Sequence, residues 1–116
     1  MTTHELVQEF AMSVSRQSAA IEIGDSRTGN KFAKRYIAAF EKIREKGDEG
    51  RDALAALLTD ERAEVRVVAA AYLLRYREAQ ATAVLAAEAQ GSGTTAFRAE
   101  QALQRWNEGT WSLDPA

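Results

Sequence analysis

Two pairs of carboxylates one helical turn apart, Glu5 with Glu9 and Glu41 with Glu45, are the residues best spaced to share a proton or a metal ion. His4, the sole histidine, stands beside the first pair. Acids in a first helical turn stabilise the helix dipole, however, and a histidine four residues into the chain has nothing to hold it in a catalytic geometry. The second pair is interleaved with Lys42, Arg44 and Lys46, the pattern of a solvated helix face. Gly91-Ser92-Gly93-Thr94-Thr95 could offer backbone N–H groups to an anion at a helix start. It has neither the spacing nor the lysine of a phosphate-binding P-loop, and it reads as a turn between helices. Ser13, Ser15 and Ser18 have no histidine that spacing could nominate as a base. With no cysteine in the chain, disulfides, thiol chemistry and thiolate-held zinc are excluded. No catalytic, cofactor-binding or metal-ligating set is therefore nominated.

Charge layout is more informative. From Arg27 to Lys46 seven basic residues (Arg27, Lys31, Lys34, Arg35, Lys42, Arg44 and Lys46) face two acids, Glu41 and Glu45, a local balance of +5. The rest of the chain holds eight basic residues against fifteen acids, or −7, which together give the formal net charge of −2. Lys31, Lys34, Arg35, Lys42 and Lys46 fall near one side of a helix and flank an aromatic stripe, so they are the candidate partner-binding residues. Trp106 lies in an apolar stripe and reads as core, whereas Trp111, beyond the last helix, joins the partner-binding candidates. A net charge so close to zero argues against nucleic acid as the partner, and an acidic protein surface fits the ridge better.

These residues are positioned by helices. Thr2 with Glu5 forms a capping-box pattern, and Leu6, Val7, Phe10, Ala11, Val14 and Ile21 mark one face of a first helix over residues 3–22. Gly24-Asp25-Ser26 breaks it and caps a second, in which Phe32, Tyr36, Phe40 and Ile43 recur at helical spacing. Gly47-Asp48-Glu49-Gly50 reads as a loop that divides these two long helices (1–46) from the remainder (50–109). Leu54, Leu57 and Leu58 then give one apolar stripe, and Val65, Val68, Ala69, Tyr72, Leu73 and Tyr76 another. Between the stripes Asp60 can accept from the N–H groups of the following helix, and Arg66 can reach back toward its carboxylate. An alanine-rich helix over 78–90 follows, then a last one that Thr94 or Thr95 caps, with Ala96, Ala99, Leu103 and Trp106 as its stripe. In the tail, Trp111 and Leu113 should fold back on the body, and Pro115 stops further helix. A shift of 30 residues aligns Leu54 with Val84, Ala69 with Ala99, Leu73 with Leu103 and Tyr76 with Trp106, the trace of a second helical pair.

Leu57-Leu58, Asp60, Val65-Arg66, Ala69-Ala70 and Leu73-Leu74 resemble a HEAT repeat, of which the six-residue step from Asp60 to Arg66 is the most specific part. The proline often found in the first HEAT helix is missing, so the likeness concerns the turn and the second helix. Over nearly the whole chain, the order of LVQEFA, a charged second helix, DALAALL, VRVVAA and AFRAEQALQRWNEG resembles a bacterial family of small HEAT-like proteins catalogued as a domain of unknown function. That resemblance implies an all-α fold, a right-handed α-α superhelix of about six antiparallel helices, and no activity of its own.

At 116 residues, with 46% hydrophobic and 28% charged side chains, the chain has the size and composition of one soluble globular domain over 1–116. It holds no apolar run near 18 residues and no basic signal-peptide start, so no membrane is expected and a cytoplasmic location is the default. The expectation is a non-enzymatic protein-binding module, by analogy an adaptor or an inhibitor that neutralises a toxin or enzyme. Its rival is a nucleic-acid-binding HEAT-like protein that uses the basic second helix.

Overall fold

Thr2 opens the chain's first helix in the way its spacing predicts. In the computed structural model, which describes residues 1–114, the Thr2 hydroxyl accepts from the Glu5 N–H at 3.1 Å and the Glu5 carboxylate accepts from the Thr2 N–H at 2.9 Å. Six α-helices and one 3₁₀ turn make up the regular structure of the described residues. They divide into two compact units, Met1–Leu54 and Ala55–Ala116. Pro115, expected to stop further helix, lies outside the described residues.

The first unit is a hairpin of α1 (Thr3–Glu22) and α2 (Ser26–Glu45), followed by most of α3 (Asp48–Ala55). Asp25 caps α2, its carboxylate accepting from the Thr28 N–H at 3.1 Å. Leu6, Val7, Phe10, Ala11 and Val14 from α1 are buried in this unit, as are Phe32, Tyr36, Phe40 and Ile43 from α2. Phe10 and Tyr36 meet edge to face, with ring centroids 5.7 Å apart. Ile21, read as part of the buried face, is instead exposed beside the turn into α2. Residues 47–50 are not a loop. Only Lys46 and Gly47 turn, and Asp48 and Glu49 form the first turn of α3, where their charge suits the helix dipole. Thr3 reaches this turn, donating to Glu49 at 3.2 Å.

Helix α3 runs directly into the 3₁₀ turn (Ala56–Thr59), which begins the second unit; α4 (Ala63–Leu73), α5 (Glu78–Ala89) and α6 (Gly93–Glu108) follow. Almost every residue of α4 is apolar, and Val65, Val67, Val68, Ala69, Ala70, Tyr72 and Leu73 are all buried. A helix hydrophobic all round must be enclosed, and α4 packs against the 3₁₀ turn, α5 and α6. Ala81 and Leu85 of α5 and Ala96 and Ala99 of α6 are the buried residues on those helices, so small side chains set their approach. Leu103, assigned to the core by its spacing, is only half-buried, as is Val84. Of the pairs matched by the 30-residue shift, Ala69 and Ala99 share full burial, while Leu54 and Leu73 are more deeply buried than their counterparts. Helix α6 starts at Gly93, ahead of the threonines expected to cap it.

The turn before α4 is tied differently from the expectation. The Asp60 carboxylate accepts from the Arg62 N–H at 2.8 Å and pairs with the Arg62 guanidinium at 2.9 Å, so it is already occupied by a residue two positions away. Arg66 donates to the Asp60 carbonyl at 2.7 Å and turns its other edge to Glu88 of α5. Its fork thereby joins the start of α4 to the end of α5. Through its bonds to Arg62, the Asp60 carboxyl is held below its ordinary value of 3.8. A carboxyl depressed on folding stabilises the fold above its ordinary pKa, and that contribution is lost as pH falls through the folded value. Asp60→Ala should thus cost about 1 kcal/mol at neutral pH. Denaturant melts should show the gap to the wild type closing below pH 3.8; a gap independent of pH would mean that the carboxylate's charge contributes nothing.

Candidate interaction surface on the second helix

Lys31, Lys34, Arg35 and Lys42 of α2 and Lys46 just beyond it are exposed, but they are not equivalent. Arg35 is committed inside the hairpin: its guanidinium pairs with Glu9 of α1 at 2.7 Å and lies 5.3 Å from the centre of the Phe32 ring. Lys31 and, from α1, Arg16 also approach that ring, at 5.6 and 5.7 Å. The free ridge predicted to include Arg35 is therefore shorter by one residue, because an acid from α1 lies within reach of its long side chain. Arg44 pairs with Glu41 at 2.8 Å. Among the described residues Lys34, Lys42 and Lys46 have no ion pair, and all three are exposed. On this hairpin runs an open groove of about 330 Å³, in which Met1, ahead of α1, and Leu6 of α1 face Ala38 and Ala39 of α2, with Lys42 and the paired Glu9 and Arg35 also lining it. Ile37, one helical turn from Lys34, is 46% exposed.

Three of the four paired carboxylates are engaged by neighbouring groups. Glu5 is turned onto the Thr2 backbone, which lowers its pKa, while Glu9 accepts from Arg35 and from the buried Ser13 hydroxyl. Glu41 is taken by Arg44, and Ser92 before α6 makes no side-chain cap. Among the described residues no three His, Asp or Glu side chains converge as they would on a metal ion.

The fold itself has a solved counterpart. A crystal structure of the protein RPA1889 from Rhodopseudomonas palustris CGA009 is similar at a TM-score of 0.88, with 24% identity over 97% of this chain and 93% of that one. At that identity the likeness concerns the fold. No family model and no curated protein matches the chain. No helix of the described residues is long and apolar enough to cross a membrane.

Trp111, the remaining partner-binding candidate, belongs to the second unit and does fold back. Its indole N–H donates to the Ala71 carbonyl at 2.7 Å, and its ring meets Trp106 edge-on at 5.2 Å. Leu113, also expected to fold back, lines a cavity with Trp111 yet stays 39% exposed. Sequence reasoning passed over the other wall of that cavity, formed by Arg98, Gln101 and Arg105. Their spacing of three and four residues along α6 is the signal that could have found them.

Proposed function

We propose that this chain is a non-enzymatic protein-binding module whose α2 flank takes an acidic segment of a partner. One observation carries the reading: an apolar groove with Lys42 on its rim lies on a hairpin where, among the described residues, Lys34, Lys42 and Lys46 are exposed and make no ion pair. A basic rim around apolar surface suits a docking site, where the apolar part supplies affinity and charge supplies orientation and speed. The HEAT-like right-handed superhelix belongs to the same proposal, since stacked helices offer partners a continuous surface. So do the cytoplasmic setting and the role of adaptor or inhibitor of a toxin or enzyme, which rest on analogy with small helical-repeat proteins.

Charge reversal at Lys34 and Lys42 is the test. The double variant, Lys34→Glu with Lys42→Glu, should keep the wild-type melting temperature, because neither side chain is engaged internally. Association with a partner captured from native lysate should slow about tenfold, and the difference should shrink as added salt shortens the Debye length. An unchanged rate at low salt would remove the flank from the interface. Arg35→Glu behaves otherwise: it breaks the Glu9 pair and lowers the melting temperature, since its partner lies within the hairpin. Titration with duplex DNA at low salt separates the rival: steeply salt-dependent binding, abolished by the same double reversal, would replace the acidic protein with a phosphate backbone.

A further inference from the structure

The second unit contains a small cavity, and its walls are chemically one-sided. It measures about 260 Å³ and lies between α6, which contributes Arg98, Gln101 and Arg105, and the tail, which contributes Trp111 and Leu113. Among the described residues no acidic side chain borders it; the rest of the polar lining is hydroxyl, from Thr110 and Ser112. The Arg105 guanidinium makes no ion pair or hydrogen bond among the described residues.

Both walls are fixed before any ligand arrives. Gly109, at φ 77, takes the left-handed conformation that ends α6 and turns the chain back. The Thr110 and Trp111 N–H groups then bond to the Arg105 carbonyl at 2.9 and 3.2 Å. Trp111 is held by the Ala71 carbonyl and by the edge of Trp106. Farther along, Arg75 donates to the Asp114 carbonyl at 2.9 Å and pairs with its carboxylate at 3.3 Å, burying Asp114 to 1% exposure. A wall held at four points loses little entropy when a ligand binds against it.

The geometry points to a binding site for a small aromatic carboxylate. Guanidinium presents a planar fork that matches a carboxylate's two oxygens, and the Trp111 and Leu113 wall suits a flat apolar body. The volume falls just below the roughly 300 to 1,000 Å³ of sites for drug-sized molecules, which selects a compact metabolite of one or two rings. This site lies wholly within the second unit and is independent of the docking proposal for α2.

Benzoate and its neutral isostere benzamide test it on the full chain. Trp106 and Trp111 are the only tryptophans, so intrinsic emission reports on this wall. Benzoate should change the emission saturably with Kd of about 0.1 to 1 mM, and benzamide should bind about tenfold more weakly. Arg105→Gln, at an exposed position, should leave the melt unchanged and bring benzoate down to the benzamide level, while Lys42→Gln in the first unit should bind benzoate as the wild type does. The inference is overturned by the absence of a saturable response to benzoate up to about 20 mM, by equal affinity for the two probes, or by full benzoate affinity in the folded Arg105→Gln variant. The two-probe comparison needs no variant, so it decides the matter even if the substitution disturbs the fold.

Discussion

Gly50→Ala should destabilise the chain by about 3 kcal/mol or more, a large share of the roughly 5 to 15 kcal/mol that ordinarily keeps a domain folded. Helix propensity alone argues the other way, since alanine is favoured over glycine by about 1 kcal/mol inside a helix. Steric contact decides the sign. A Cβ at Gly50 would lie 2.0 Å from the Ile43 carbonyl oxygen, 2.9 Å from its carbon and 3.2 Å from the Ile43 Cγ2. Two of those atoms are backbone in the last turns of α2, and the carbonyl already accepts from Lys46. Ile43 is itself fully buried, so α2 cannot yield cheaply, and the first turn of α3 must move instead. Gly91→Ala is the control, because the nearest atom to its new Cβ is 3.4 Å away and its backbone is not left-handed. Thermal melts followed by circular dichroism should separate the two variants widely. A Gly50→Ala protein melting within a few degrees of the wild type would mean that α3 can retreat from α2 at little cost.

Leu73→Ala should cost about 2 to 5 kcal/mol, the range for a fully enclosed leucine whose neighbours cannot collapse into the space. Leu73 has no solvent exposure, and it lies on α4, which packs against both α5 and α6. The 30-residue alignment makes Leu103 its counterpart, and equal burial would predict an equal loss. Because Leu103 is half-buried, the same truncation there should cost about 1 kcal/mol. Urea unfolding of the two variants measures the contrast, and similar losses would restore the symmetry that burial denies.

The starts of the first two helices were legible, because capping is local chemistry: Thr2 with Glu5 and Asp25 with Thr28 are settled within three residues of sequence, whereas the caps expected for α4 and α6 were not found. The apolar stripes of α1 and α4 were legible for the same reason, their period being a property of a single helix. Asp60 was misread locally, since Arg62 two residues on takes its carboxylate, and other errors arose where a partner came from elsewhere in the fold. Nothing near Arg35 announces that Glu9, 26 residues earlier, will take its charge. Nothing near Arg66 announces Glu88. Gly47 to Gly50 looked like a loop because glycine marks breaks, yet Gly50 is there to let α3 touch the backbone of α2, a requirement visible only in three dimensions. The wall of Arg98, Gln101 and Arg105 escaped notice because a polar helical stripe ordinarily faces water. Here a returning tail covers it.

The passage from α3 into the 3₁₀ turn bears on how the molecule can be taken apart. The division between the compact units falls at Leu54 and Ala55, inside a hydrogen-bonded helical run and at side chains hidden from solvent. Proteases cut where several residues can be drawn out into an extended form, which exposed loop tips allow and a buried helical turn resists. Subtilisin, which cuts with little sequence preference, would therefore reach a turn such as Gly91-Ser92 in the native protein before it reached this seam. Recombinant halves divided at the same point would each lose helical bonds that the intact chain shares between them. Compactness thus marks out two units here, while the covalent path between them provides no place to cut.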